Sequence, residues 1–129
     1  LYLGKNDLKT IEFDIDTLVE LRNFSMPHNQ LSILHEKLFE NNKKLEIVWF
    51  DNNKIHTIAA TLFDDLEHLR YVDFKNNTCM NSHFWAGEID AMKEEIKDDC
   101  RKEWSLGFFF NLFKIKFVIV WYKKLNKKN

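Results

Sequence analysis

A repeat solenoid closed by a C-terminal helical lid is the fold class that the sequence predicts, and three observations predict it. A motif of apolar slots followed by an asparagine recurs at a fixed step of 24 residues, the segment behind each copy recurs at the same step, and the repetition stops where a helical pattern begins. A unit this short cannot bury its own apolar face, so copies at a constant period stack on their neighbours and share one continuous core.

The copies are Leu21, Phe24, Met26, Asn29 and Leu31, then Leu45, Val48, Phe50, Asn53 and Ile55, then Leu69, Val72, Phe74, Asn77 and Cys79. An earlier copy fills the same slots with Leu1, Leu3, Asn6 and Leu8. The chain opens inside that copy and without Met, so it reads as a fragment whose start says nothing about a signal peptide. Behind the strand motifs, Leu34, Leu38 and Phe39 correspond to Ile58, Leu62 and Phe63. Asn42 stands where the next copy has Leu66, which predicts a return segment that is locally looser or turned outward there.

This pattern, L-x-x-L-x-L-x-x-N-x-L with a hydrophobic return, resembles the leucine-rich repeat over residues 1 to about 79. The resemblance implies an α/β solenoid: a leucine-rich repeat horseshoe segment with short parallel strands on the concave face and looser convex returns. About four repeats fall in residues 1–79, the first truncated. Asn6, Asn29, Asn53 and Asn77 form an expected structural ladder. A side-chain amide at the bend after each strand offers two donors and an acceptor to backbone groups that no sheet ladder reaches.

Residues 80–103 read as a C-terminal cap with a helix over about 88–100, because Ile89, Met92, Ile96 and Cys100 recur at helical intervals. Glu88 and Asp90 suit the positive end of its dipole. Such a lid keeps the last repeat's apolar cross-section out of water. The cap resembles the cysteine-bearing C-terminal caps of animal extracellular repeat proteins, insect ones related to innate immunity in particular. That resemblance implies a disulfide between Cys79 and Cys100, the two cysteines of the chain. Closing a loop of that length contributes about 3 kcal/mol and requires an oxidising compartment. The alternative is two buried free thiols in a cytosolic protein. Asn23-Phe24-Ser25 and Asn76-Asn77-Thr78 are glycosylation acceptors that fit the same compartment.

With 129 residues, 45% of them hydrophobic, 3 Gly and 1 Pro, the chain carries a single core and little linker material. Residues 1–100 hold 11 Lys or Arg against 19 Asp or Glu, whereas residues 101–129 hold 8 against 1. An acidic body lacks the basic face that nucleic acid requires. Residues 104–129 form an apolar and then basic tail. Its stretch 104–122 is long enough to span a bilayer and is flanked by aromatics and by Lys123, Lys124, Lys127 and Lys128, but Lys114 and Lys116 lie near its centre. Membrane insertion, an apolar strand or helix folded on the cap, a poorly ordered extension and a non-native tail all remain open readings.

Strand alternation places Tyr2, Asn23, Ser25, Ile47, Trp49, Tyr71 and Asp73 outward on the concave face, with Lys5, His28, Asp51, Asn52 and Lys75 at the strand exits. Aromatics beside charges are the material of protein interfaces, and Trp49 with Tyr71 and Asp73 is the expected centre of binding. Catalytic chemistry is not expected. The five histidines do not cluster, the pairs Asp64-Asp65 and Asp98-Asp99 read as solvated surface, and no Gly-rich phosphate loop or serine elbow is present. No metal, cofactor or nucleic acid is expected. The expected partner is another protein, bound by an extracellular or cell-surface recognition module, in innate immunity or cell-surface recognition. The alternative is an intracellular leucine-rich repeat scaffold or adaptor without the disulfide.

Overall fold

The computed structural model describes residues 1–101; the expected apolar span 104–122 and its basic flank lie outside the described residues. Three parallel strands, β1 (Asn23–Ser25), β3 (Ile47–Trp49) and β5 (Tyr71–Asp73), pair in the order β1-β3-β5 with register Phe24, Val48, Val72. Tyr2 adds a parallel bridge to Ser25 at one edge. The returns carry a second, two-stranded parallel sheet of β2 (Ile33–Leu34) and β4 (Thr57–Ile58). In both sheets the partners of neighbouring repeats stand 24 residues apart, so the sequence period is the strand register.

Between the sheets the apolar slots merge into one buried cluster that runs from Ile15 to Cys100. Five phenylalanines form its spine. Phe24 contacts Phe39 and Phe50 at ring-centroid distances of 5.4 and 5.7 Å, and Phe50 stacks on Phe74 at 5.8 Å. Phe63 bridges Phe39 and Phe74, at 6.1 Å from each. Strand and return of one repeat therefore pack on both elements of the next. Each buried ring contributes roughly 1.5–3 kcal/mol by leaving water.

The ladder asparagines tie turn to turn through the backbone. Asn53 Nδ2 donates to the carbonyls of Met26 and Phe50, at 2.8 and 3.0 Å, and its Oδ1 accepts the Leu31 N–H at 3.0 Å. Asn29 repeats this with Leu3, Met26 and the Leu8 N–H, and Asn77 with Phe50, Phe74 and the Ile55 N–H. Asn6, exposed, donates only within its own turn, to Leu3 and Gly4. Immediately before each ladder residue the backbone turns left-handed, at Lys5, His28, Asn52 and Asn76, with φ between 55° and 58°. Asparagine tolerates that region better than lysine, so Lys5 carries more strain than Asn52 or Asn76. In return, the Lys5, His28 and Asn52 amides reach the carbonyls of Pro27, Asp51 and Lys75 in the following turn.

Three features depart from the sequence reading. Asn42 is fully buried and not turned outward: its Nδ2 donates to the Ile15 and Leu18 carbonyls of the preceding return, at 2.9 and 3.0 Å. A leucine in that slot would remove this side-chain tie between the two returns and leave the Ile15 and Leu18 carbonyls only the backbone amides of Leu18 and Leu21. The main sheet is not wholly parallel, because β6 (His83–Trp85) pairs antiparallel with β5, setting Tyr71 opposite Trp85 and Asp73 opposite His83. A turn over 74–82 returns the chain directly beside β5, and the short connection forces the reversed direction. The helix α1 spans Ile89–Asp99 after a 3-10 turn at Ala86–Glu88, one residue shorter at each end than expected.

Ile89, Met92 and Ile96 on α1 are buried against the core, and Cys100 is bonded to Cys79. The Cys100 carbonyl also accepts the Ile58 N–H of β4, so the lid is joined to both sheets. Across the surface, Glu46 pairs with Arg22 and Arg70 one repeat to either side; the Arg22 hydrogen bond holds its carboxyl below the usual range.

Replacing Asn53 by Ala removes one of the two side-chain donors from each of the Met26 and Phe50 carbonyls and leaves the buried Leu31 amide without an acceptor. Unfolding in urea is expected to show a loss of about 3 kcal/mol for Asn53→Ala and under about 1 kcal/mol for the exposed Asn6→Ala. Equal losses at the two positions would contradict the ladder's role.

Candidate functional site

Strand alternation gives the main sheet an inner face, where Phe24, Val48, Val72 and Phe84 enter the core, and an outer face. Cross-strand pairing arranges the outer face in two rows. One row reads Asn23, Ile47, Tyr71 and Trp85; the other reads Ser25, Trp49, Asp73 and His83. Beyond the strand ends follow His28, Asp51, Asn52, Lys75 and Asn76.

The expected binding residues differ in availability. Tyr2 is 67% exposed, Asn23 and Lys75 are exposed, and Ile47, Trp49, Asp51 and Tyr71 are half-buried. Ser25 and Asp73 were expected to project freely but are buried, at 6% and 7% exposure. Each sits between larger cross-strand neighbours: Tyr2 and Trp49 flank Ser25, and Trp49 and His83 flank Asp73. On a strand spacing of roughly 4.8 Å a small side chain is covered by the aromatic rings beside it.

Aromatic rings gather at the C-terminal end of this face. Tyr71 lies 6.1 Å from Trp49 and 4.6 Å from Trp85, centroid to centroid, and 6.0 Å from His83. The Trp49 and Trp85 planes are tilted 58° and 53° from that of Tyr71, so the rings form an open wedge and not a closed stack. Trp85 stays 60% exposed within it. Its backbone is fixed by the Glu88 carboxylate, which accepts the Trp85 N–H at 2.9 Å. Sequence reasoning left Trp85 and His83 out of the site. The period could not find them, because the position 24 residues after Tyr71 is Glu95, on the helix. The alternation of His83, Phe84 and Trp85 around a buried Phe84 was the available signal, in a run of only three residues.

Polar groups beneath the wedge are fixed. The Tyr71 hydroxyl donates to Asp73 Oδ2 at 3.0 Å, and Asp73 Oδ1 accepts the Lys75 N–H at 2.9 Å, closing the turn after β5. The Lys75 ammonium stands 4.0 Å from the same carboxylate. Beside them the exit asparagines form a second ladder: Asn76 Nδ2 donates to Asn52 Oδ1 at 2.9 Å, and Asn52 Nδ2 donates to Asp51 Oδ2 at 2.8 Å. Burial pushes the Tyr71 phenol up to about 12, helped by the hydrogen bond to Asp73 and by the charges of Asp73 and Asp51.

Among the described residues, no group of three or more His, Cys, Asp or Glu is disposed to hold a metal ion, and no helix is long and apolar enough to cross a membrane. A separate apolar groove lies between the return sheet and the cap, lined by Ile33, Ile58, Ala59, Ile96 and Arg101.

Residues 19–78 match the family model described as leucine rich repeat. With the strand register and the asparagine ladder, the match supports a leucine-rich repeat protein with a solenoid-type fold. No curated protein and no solved structure gives a significant match to the chain.

A phenol whose folded-state pKa is raised adds stability below the unfolded value near 10, and that stability is lost as pH rises towards 12. The difference in ultraviolet absorbance titration between the protein and Tyr71→Phe is expected to show a midpoint near pH 12. A difference titrating near pH 10 would place the hydroxyl in free solvent.

Proposed function

We propose that the chain is an extracellular protein-recognition module that binds its partner across the outer, concave face of the main sheet. The observation that carries this reading is the wedge of Trp49, Tyr71 and Trp85, half-buried to exposed on a sheet whose backbone is pinned from below. Large rings held rigidly beside charges concentrate binding energy, because they desolvate on contact and lose little conformational freedom. Leucine-rich repeat domains commonly mediate protein–protein binding. Recognition, not catalysis, is the proposed activity, with no metal or cofactor involved.

An oxidising compartment is supported by the Cys79–Cys100 bond and by two sequons whose asparagines, Asn23 and Asn76, are both exposed. A glycan on Asn23 would cover the start of the row that runs through Ile47 and Tyr71 to Trp85 and leave the wedge open, confining the partner to the C-terminal half of the face. The cysteine-bearing cap resembles those of animal, insect-type extracellular proteins, and on that resemblance host recognition in innate immunity is the proposed setting. Attachment to a membrane through residues 104–122 is compatible with this arrangement.

Two measurements test the reading. A photo-crosslinking residue placed at Ile47, on the outer face, is expected to capture a protein in the cells that make the chain, and the Trp49→Asp change is expected to abolish capture. The same residue at Glu67, exposed on a return, is expected to capture nothing. Equal capture from both positions contradicts the assignment of the face. A non-reducing peptide map of the protein from its native cells is expected to contain the Cys79–Cys100 crosslinked peptide. Two free thiols with bare asparagines would move the chain into the cell as a scaffold or adaptor.

A further inference from the structure

The wedge and the carboxylates beside it form a site with a definite chemical preference. Trp49 and Trp85 are tilted 58° and 53° from Tyr71 and Trp85 stays 60% exposed, so the wedge presents aromatic surface, electron-rich on the ring face, to a partner. Two carboxylates, Asp51 and Asp73, lie close enough to raise the Tyr71 phenol by their charge. Asp73 is buried and held by the Tyr71 hydroxyl and the Lys75 amide, which makes it a fixed negative charge under the rings; Asp51 is half-buried at the neighbouring strand exit. Among the described residues, no lysine or arginine makes a cation–π contact with these rings. Arg22 and Arg70 are both engaged by Glu46, and Lys75 approaches Asp73 only from the strand exit, at 4.0 Å. Residues 1–100 as a whole carry 19 acidic against 11 basic side chains, so the surrounding field favours a positive partner.

We propose that Trp49, Tyr71 and Trp85 receive an arginine or lysine side chain of the protein partner, with Asp51 and Asp73 as its counter-charge. This deepens the reading above and rests on the outer face being the surface that meets a protein. A guanidinium within roughly 6 Å of the ring centroids gains cation–π attraction from each face, while its aliphatic stem covers the exposed Trp85. Because Tyr71 keeps its proton through the physiological range, its hydroxyl stays committed to Asp73 and holds that carboxylate in place. Arginine is favoured over lysine, since its flat, weakly hydrated group lies on a ring face and still offers donors to a carboxylate.

The test is a titration of the full chain followed through the indole N–H signals of Trp49 and Trp85, assigned with Trp49→Phe and Trp85→Phe variants. The probes are N-acetyl-arginine amide and N-acetyl-citrulline amide, which share shape and differ in charge. The arginine probe is expected to shift both indoles saturably in the millimolar range, at least about five-fold more tightly than citrulline. Asp51→Asn, a near-isosteric change at the strand exit, is expected to remove a factor of about three from that preference, and Asp73→Asn more where the variant folds. Identical midpoints for the two probes, or no shift of either indole with arginine, overturns the assignment. Capture of a protein from Ile47 together with no preference for arginine would overturn the cation site and leave the protein-binding face intact. Loss of capture with the arginine preference retained would overturn the face and leave the cation site.

Discussion

A stack of short turns has a problem that a larger domain does not have: every bend buries backbone amides and carbonyls that no strand pairs. The amides of Asn29, Asn53 and Asn77 resolve it by donating to the carbonyls of their own turn and of the turn before, and by accepting a later amide of the preceding turn. Each therefore specifies both the shape of its bend and the distance to its neighbour. Asn42 acts similarly on the return side, where its amide bridges to the Ile15 and Leu18 carbonyls. With both sides pinned at one step, strand pairing has no freedom to slip. A slip of one residue would exchange core and solvent faces along the whole sheet.

The proposed binding face follows from that fixed register. The core fills through Phe24, Val48 and Val72, so the side chains between them are carried outward in rows whose spacing is that of the strands. Where the repeat ends, β6 turns back antiparallel and adds Trp85 and His83 to the rows that Tyr71 and Asp73 began. The same segment leads into α1, so the lid that covers the core also completes the aromatic wedge. The Glu88 carboxylate on the Trp85 amide joins the two tasks in one hydrogen bond. Completion of the aromatic wedge and closure of the solenoid thus fall to one stretch of chain, residues 83–100.

The repeat architecture was legible because it is written twice, in the strand motif and in the return, and because the two agree on one period. The expected strands, the asparagine positions and the helix all fall within that frame, with the helix shifted by a single residue at each end. Three kinds of information were not legible. Asn42 breaks the apolar pattern, and a pattern reading can register only a missing leucine, whereas the amide's partners lie 24 and 27 residues away in sequence. The exposure of Ser25 and Asp73 depends on which rings stand on the adjacent strands, a property of the assembled sheet. Trp85, on the fourth strand of the sheet, escaped because it lies beyond the last repeat, where the period no longer indexes position.

The central claim is that buried asparagine amides set the register on which the outer face depends, and native-state hydrogen exchange tests it most directly at two amides. The N–H groups of Leu31 and Ile55 are bonded to the Oδ1 atoms of Asn53 and Asn77 and to no strand partner. If the ladder carries the fold, both exchange only through opening as costly as that of Val48 at the centre of the sheet. Exchange of Leu31 and Ile55 at the rate of exposed loop amides, with Val48 protected, would show that the register is held by the strands and the apolar core alone.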